Sequence, residues 1–298
     1  MTNPLWRAIV VIIMGLCSFE MMGVIVRMLG SDYPILQISV LRNFFGIIPA
    51  AVLLMLGPGL AGLRTIRHKR DIIVILLRSG AVLMAQISFY TALTKIEFAT
   101  AGALGFTSPL FITLLSIPIL GTQVGWVRIS AVILGFVGVL VIMKPFNEAF
   151  SYWMILPVIA GFGYGLANVL VRLFPSEIPS SAIQIGQQLT TCGMALIALI
   201  FTGEMIPVSS VNDMGMFVLM GCCGGLGVMS LVISYRLVEP STLAAFEYFG
   251  IPISFLLGFI FFAEAPFGTL FPGVLLIVAG GLLIIIRERR NSAAAQRP

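Results

Sequence analysis

Apolar residues run through this chain in stretches of about twenty, separated by short polar or charged turns. A helix needs about 20 mainly apolar residues to cross a bilayer. The pattern predicts ten such helices, over residues 8–28, 33–56, 71–93, 100–120 and 126–143, then 152–174, 181–202, 214–237, 241–262 and 268–286. A transmembrane barrel would instead alternate in segments of about ten residues, and no such alternation is present. The first stretch is too long for the core of a signal peptide and reads as an uncleaved first helix. The turns are short, so consecutive helices are expected to be antiparallel neighbours. The longest is the basic segment 57–70.

Composition sharpens this picture. Charged residues make up 10% of the 298 and hydrophobic ones 59%, with a mean hydropathy of +1.09. A water-soluble domain carries about a quarter charged residues. The expected solvent is therefore lipid. The net charge of +5 follows membrane topology rather than nucleic-acid binding. With a cytoplasmic N-terminus, one face receives Arg7, Arg64, Arg67, Lys69, Arg70, Arg128, Arg172, Arg236 and the tail arginines. The other holds Arg27, Lys95 and Lys144 beside Asp32, Glu97, Glu148, Glu204, Asp213 and Glu264. The positive-inside rule then places both termini in the cytoplasm, in a multi-pass protein of the cell membrane. The four cysteines, Cys17, Cys192, Cys222 and Cys223, lie inside apolar stretches and read as packing residues.

The chain also repeats itself weakly. "GLCSFEMMGVIVRML" aligns with "AGFGYGLANVLVRLF", matching Arg27 to Arg172, and Pro109 falls near the register of Pro252. Five spans per repeat is an odd number, so the repeats must be inverted with respect to each other. The expected fold is all-α: ten transmembrane helices in two inverted five-helix repeats, 1–145 and 146–298. Such architectures place substrate at the repeat interface near the midplane.

"ATAGALGFTSPLFITLLSIPILG", followed by "WVRISAVILGFVGVLVIMKP", resembles the fourth and fifth helices of the EamA branch of the drug/metabolite transporter superfamily. "FFAEAPFG" and "GVLLIVAGGLLII" echo these in the second half. Arg42 in "SVLRNFFG" falls where family members often carry an arginine. One departure stands out. The first repeat often ends its fourth helix with Leu-Gly-Glu, and here it reads Leu120-Gly121-Thr122, so Glu264 keeps the acid only in the second half. The resemblance implies a carrier of metabolites, in a family that includes amino-acid exporters and uptake systems for S-adenosylmethionine and riboflavin.

Candidate chemistry centres on ionisable groups inside spans, each of which costs a few kcal/mol to bury in lipid unless compensated. These are Glu20, Arg42, Arg78 and Glu247. At 1.5 Å per residue, Glu20 lies about 10 Å below Arg27, and Arg42 about 13 Å below Tyr33. The matched depth predicts a Glu20–Arg42 pair bounding the cavity. Arg78 and Glu247 match on the other side. Structural ion pairing and substrate contact both explain such residues. Gln86, Tyr90, Tyr164, Asn168, Gln187 and Tyr248 complete the candidate substrate-binding set. Phe19, Phe89, Phe106, Phe246 and Phe249 are candidate aromatic walls. Pro109 and Pro252 are candidate hinges. Gly161/Gly165 and Gly221/Gly225 have the spacing of close helix crossings.

No nucleotide-binding loop, diphosphate motif or zinc spacing is present, so no cofactor, metal or enzymatic activity is expected. The expected function is secondary transport of small organic metabolites, amino acids or related amphipathic compounds, by alternating access. The alternatives are uptake of a cofactor-type molecule and, from another class, a non-transporting membrane scaffold. The expected partners are the substrate, membrane lipid and, as a candidate coupling ion, the proton. No nucleic acid is expected. The oligomeric state is expected to be monomeric, with a dimer as the alternative.

Overall fold

The computed structural model describes residues 4–57, 59–121, 125–144, 150–237, 246 and 248–295. Thr122, Glu148 and Glu247 lie outside the described residues, as do the side chains of Arg128, Arg236 and the tail arginines. Among the described residues the secondary structure is entirely helical. The elements are α1 (Pro4–Leu29), α2 (Ile35–Leu56), α3 (Lys69–Lys95), α4 (Phe98–Gly105), α5 (Ser108–Leu120) and α6 (Trp126–Met143). They continue with α7 (Ile155–Val171), α8 (Ser180–Thr202), α9 (Val211–Leu237), α10 (Gly250–Phe262), the short α11 (Phe267–Leu270) and α12 (Gly273–Ala295). A 3₁₀ segment, Gly59–Thr65, lies in the basic connection.

Seven helical stretches are long and apolar enough to cross a membrane, and three shorter apolar helices accompany them. Their outer faces carry large hydrophobic side chains with nothing against them, such as Met14 at 62%, Leu56 at 79% and Phe201 at 87% exposure. A belt of this kind belongs against lipid, not water.

The fourth expected span is two helices rather than one kinked helix. α4 ends at Gly105, and α5 restarts at Ser108 with Pro109 in its first turn. Proline lacks the N–H that a first turn does not need, so it starts α5 instead of bending it. Pro252 likewise falls in the first turn of α10. The ring of Phe106, in the α4–α5 break, fills the space beside Gly250 at the start of α10.

Packing follows the small residues. Gly161 and Gly165 of α7 lie on the α4–α5 break and α5. Gly221 and Gly225 of α9 lie on α2 between Phe45 and Pro49. α6 and α12 also approach closely. A Cβ on Gly138 would come within 2.6 Å of the Gly273 carbonyl oxygen, one on Gly273 within 2.6 Å of that of Gly138, and one on Gly280 within 2.6 Å of that of Ala131. Only glycine permits backbones this close. The largest apolar cluster joins α1, α2, α3, α4 and α9 through Val26, Leu29, Ile38, Tyr90, Phe98 and Phe217.

The chain reversals gather at two ends. One end, called the Arg27 end below, holds the α1–α2 turn, where the Tyr33 hydroxyl donates to Asp213 Oδ2 at 2.7 Å. It also holds Gln37, whose side chain both donates to and accepts from the backbone of Ile206. At the other end Ser234 Oγ donates to the Ala8 carbonyl at 3.2 Å.

Candidate functional site

Arg42 stands in the first half of α2, 6% exposed. Its Nη1 donates to Asn43 Oδ1 at 3.2 Å, and its Nε has no partner among the described residues. Asn43 Nδ2 donates to the Ser39 carbonyl at 2.7 Å and to Gln86 Oε1 of α3 at 2.9 Å. Gln86 Nε2 returns a bond to Asn43 Oδ1 at 3.4 Å. This reciprocal amide pair fixes both side chains and turns a carbonyl dipole toward the guanidinium. Tyr90 of α3 lies close enough to Arg42 to interact with it, and the arginine's charge also reaches Tyr164 of α7. Gly224 of α9 leaves room for the guanidinium, since a Cβ there would sit 2.9 Å from Arg42 Nη2 and 2.8 Å from Met22 Sδ. Arg42, Gln86 and Tyr90, far apart in sequence, thus meet in one buried polar cluster, with the half-buried Tyr164 within reach of the arginine's charge.

The expected Glu20–Arg42 ion pair is not formed. Among the described residues the one ion pair is Arg27–Glu264. The α1 residue beside Arg42 is Met22, and two residues along a helix is about 200° of rotation. Glu20 therefore faces another side of α1, nearer the azimuth of Arg27. The expectation matched depth and ignored azimuth.

Arg78 makes a second cluster. Its Nη1 donates to Gln187 Oε1 of α8 at 2.7 Å and its Nε to the Ala167 carbonyl of α7 at 3.2 Å. Ser79 Oγ donates to the Gln187 carbonyl, and Gln187 Nε2 to Thr191 Oγ1. Asn168 is exposed and joins neither cluster. Tyr248 packs against Phe106 with ring centroids 6.3 Å apart. Phe19 lies on Gly227 and Phe89 on Gly105, so both serve helix contacts. Among the described residues no His, Cys, Asp and Glu side chains cluster as metal ligands.

Three features went unread in the sequence. Asn43 is the pivot of the Arg42 cluster, and its neighbour's charge was the available signal. Asp71, 3% exposed in the first turn of α3, has one carboxylate oxygen without a partner among the described residues. The third is the join between Arg27 and Glu264, two residues assigned to the same face. Arg27 Nη1 donates to Glu264 Oε2 at 2.9 Å and Nη2 to Glu264 Oε1, a two-pronged fork. Glu264 Oε2 also accepts the Phe98 backbone N–H at 2.7 Å, and the guanidinium lies 4.3 Å from the Phe262 ring centroid.

The polar cluster around the buried arginine thus lies inside a belt of helices with large exposed apolar faces. The family model described as "EamA-like transporter family" matches residues 6–144. Residues 6–144 form an EamA domain. Curated relatives extend the similarity across most of the chain. An S-adenosylmethionine uptake transporter of Rickettsia conorii is 22% identical over 266 residues, 89% of this chain and 88% of the relative. A riboflavin transporter of Rhizobium johnstonii is 28% identical, covering 74% and 71%. The pseudopaline exporter of Pseudomonas aeruginosa is 22% identical, covering 88% and 90%. A crystal structure with a TM-score of 0.64 and 18% identity, covering 96% of this chain and 98% of its own, shares the fold. The EamA-like match over residues 6–144 and the apolar helices support a multi-pass membrane protein, and the curated relatives it resembles are transporters.

Proposed function

We propose that the protein is a secondary transporter of small organic metabolites, amino acids or related amphipathic compounds, working by alternating access between two inverted five-helix halves. The observation that carries the reading is Arg42, a guanidinium buried in the middle of a membrane bundle with neutral dipoles around it and no carboxylate bonded to it among the described residues. A charge so placed is costly, and an incoming substrate with a negative or strongly polar group would compensate it. Gln86, Tyr90 and Tyr164 supply further polar contacts, with Arg78 and Gln187 as a second polar station.

The inverted arrangement is supported by which helices touch. α1 packs on α9 as α3 packs on α7. α2 meets α9 as α3 meets α8. α5 meets α7 as α1 meets α10. α2–α8 and α6–α12 pair with their own counterparts. Exchanging each helix with the one five spans later leaves this set unchanged. Uptake of a cofactor-type molecule is the second reading, favoured by the relatives named for S-adenosylmethionine and riboflavin.

The test is transport by the purified protein in liposomes. A panel of amino acids, S-adenosylmethionine and riboflavin would be offered from either side, with Arg42→Gln as the control. Movement of one class, lost at least tenfold in the variant, is expected. A folded protein that moves none of them across either face would favour the non-transporting scaffold.

A further inference from the structure

The fork between Arg27 and Glu264 has no role in holding cargo at Arg42, yet it is the most heavily bonded charge cluster among the described residues. It ties three helix ends together. Arg27 lies in the last turn of α1, Glu264 follows the C-terminus of α10, and the Phe98 N–H opens α4. α10 ends through Ala263 in the left-handed conformation, φ 53°, which throws Glu264 across to α1 and α4. A depression of about 470 Å³ opens at this end, lined by Lys95, Glu97, Thr100, Lys144 and Met154. Both Arg27 and Glu264 belong to its lining, so the ion pair stands where this opening meets the bundle.

The opposite end is built alike but without the acid. α5 ends through Gly121 in the same left-handed conformation, φ 66°. The residue that follows, in the place of Glu264, is Thr122. Arg172, aligned with Arg27, caps the C-terminus of α7, is exposed, and makes no ion pair among the described residues. α7 packs on α5 there as α1 packs on α10 at the other end.

We propose that Arg27 and Glu264 form an electrostatic gate that closes one end of the transport path, and that the Arg172 end, where the described residues hold no equivalent fork, is held less tightly, so that the protein rests closed at the Arg27 end. The proposal rests on the alternating-access reading for its purpose, but its geometry is tested without cargo. A fork of two charge-assisted bonds plus a backbone bond holds three helix ends in register. Opening that end separates them. Without a matching fork, the Arg172 end opens more readily.

The experiment uses the full-length protein in lipid nanodiscs with its cysteines replaced. Spin labels are placed at Ser31 and Ala265 to report the Arg27 end, and at Trp126 and Glu177 to report the Arg172 end. Distances between labels are read by pulsed electron resonance. The parent should give a narrow distribution at the Arg27 end and a broad one at the Arg172 end. Glu264→Gln should raise the widened population at the Arg27 end about tenfold. Arg27→Lys, which keeps the charge and loses the fork, should do so less. Thr122→Glu, which leaves the existing fork untouched, should narrow the Arg172 end. A folded Glu264→Gln protein with the parent's distribution at the Arg27 end would overturn the gate. So would a Thr122→Glu protein whose Arg172 end stays as broad as the parent's, a result available even if Glu264→Gln fails to fold. If the distances shift as expected while liposomes move no solute, the gate stands and the transport reading fails.

Discussion

Arg27 and Arg42 are guanidiniums on neighbouring helices, handled in opposite ways. Arg27 is partly exposed at the end of α1, and it receives a carboxylate in a fork, an aromatic face and a shared backbone donor. Arg42 is almost wholly buried, and it receives an amide oxygen and the neighbourhood of two tyrosines. The better-solvated charge has the stronger partner. If stability alone governed these positions, the order would be reversed, because the cost of an uncompensated charge rises with burial. Under the proposed function, the difference separates a residue that holds helix ends together from one kept available to substrate.

The comparison breaks most visibly in transport. Arg42→Met keeps the side chain's length and removes the charge. It should lower uptake by about 100-fold, the value of losing charged hydrogen bonds to a substrate. It should leave thermal stability unchanged or raised, because no partner is stranded. A melting temperature that falls sharply would make Arg42 structural and erase the contrast.

Glu264→Gln should behave in the opposite manner, costing about 2 kcal/mol of stability as Arg27 loses its partner. The double change Arg27→Gln with Glu264→Gln should recover part of that, since the stranded guanidinium is gone. Thermal unfolding in one detergent measures both. Gln187→Ala should be milder, at about 1 kcal/mol, because Arg78 keeps the Ala167 carbonyl. If it lowers transport while stability holds, the second cluster belongs with Arg42 rather than with Arg27.

The smallest effect belongs to Tyr33. Its hydrogen bond to Asp213 and the nearby negative charges hold its hydroxyl above the usual phenol range. Folding therefore favours the protonated form. The contribution is complete below pH about 10 and fades as pH rises through the shifted value. An alkaline titration of stability should show this slope in the parent and lose it in Tyr33→Phe.

Much of the architecture is legible in the sequence because lipid imposes a length and a hydropathy on every spanning helix. Apolar runs marked the helices, and glycine pairs such as Gly221/Gly225 marked close crossings that the structure contains. The break at Phe106–Thr107 was less visible, since Pro109 reads as a kink from sequence and becomes a helix start only when the chain before it leaves the helix. The candidate site was half legible as a set of buried polar side chains. Ionisable residues in apolar runs stand out one by one, so Arg42 and Arg78 were found. Their partners were not, because depth along an axis is arithmetic whereas azimuth depends on packing against helices distant in sequence. Glu20 matched Arg42 in depth and faced another way. The Arg27–Glu264 fork is hidden in the sequence for the same reason, since sharing a face says nothing about touching.

The glycine seam between α6 and α12 has a consequence for engineering. Gly138, Gly273 and Gly280 leave no room for even one added methyl group against the opposite backbone. Anyone breeding this protein for a new cargo faces an uneven palette. Positions around Arg42 offer side chains of many shapes to exchange, while the seam tolerates a single residue type. Libraries that randomise the surroundings of Arg42 and hold those three codons constant should return a larger share of intact proteins than libraries that spread changes evenly along the gene.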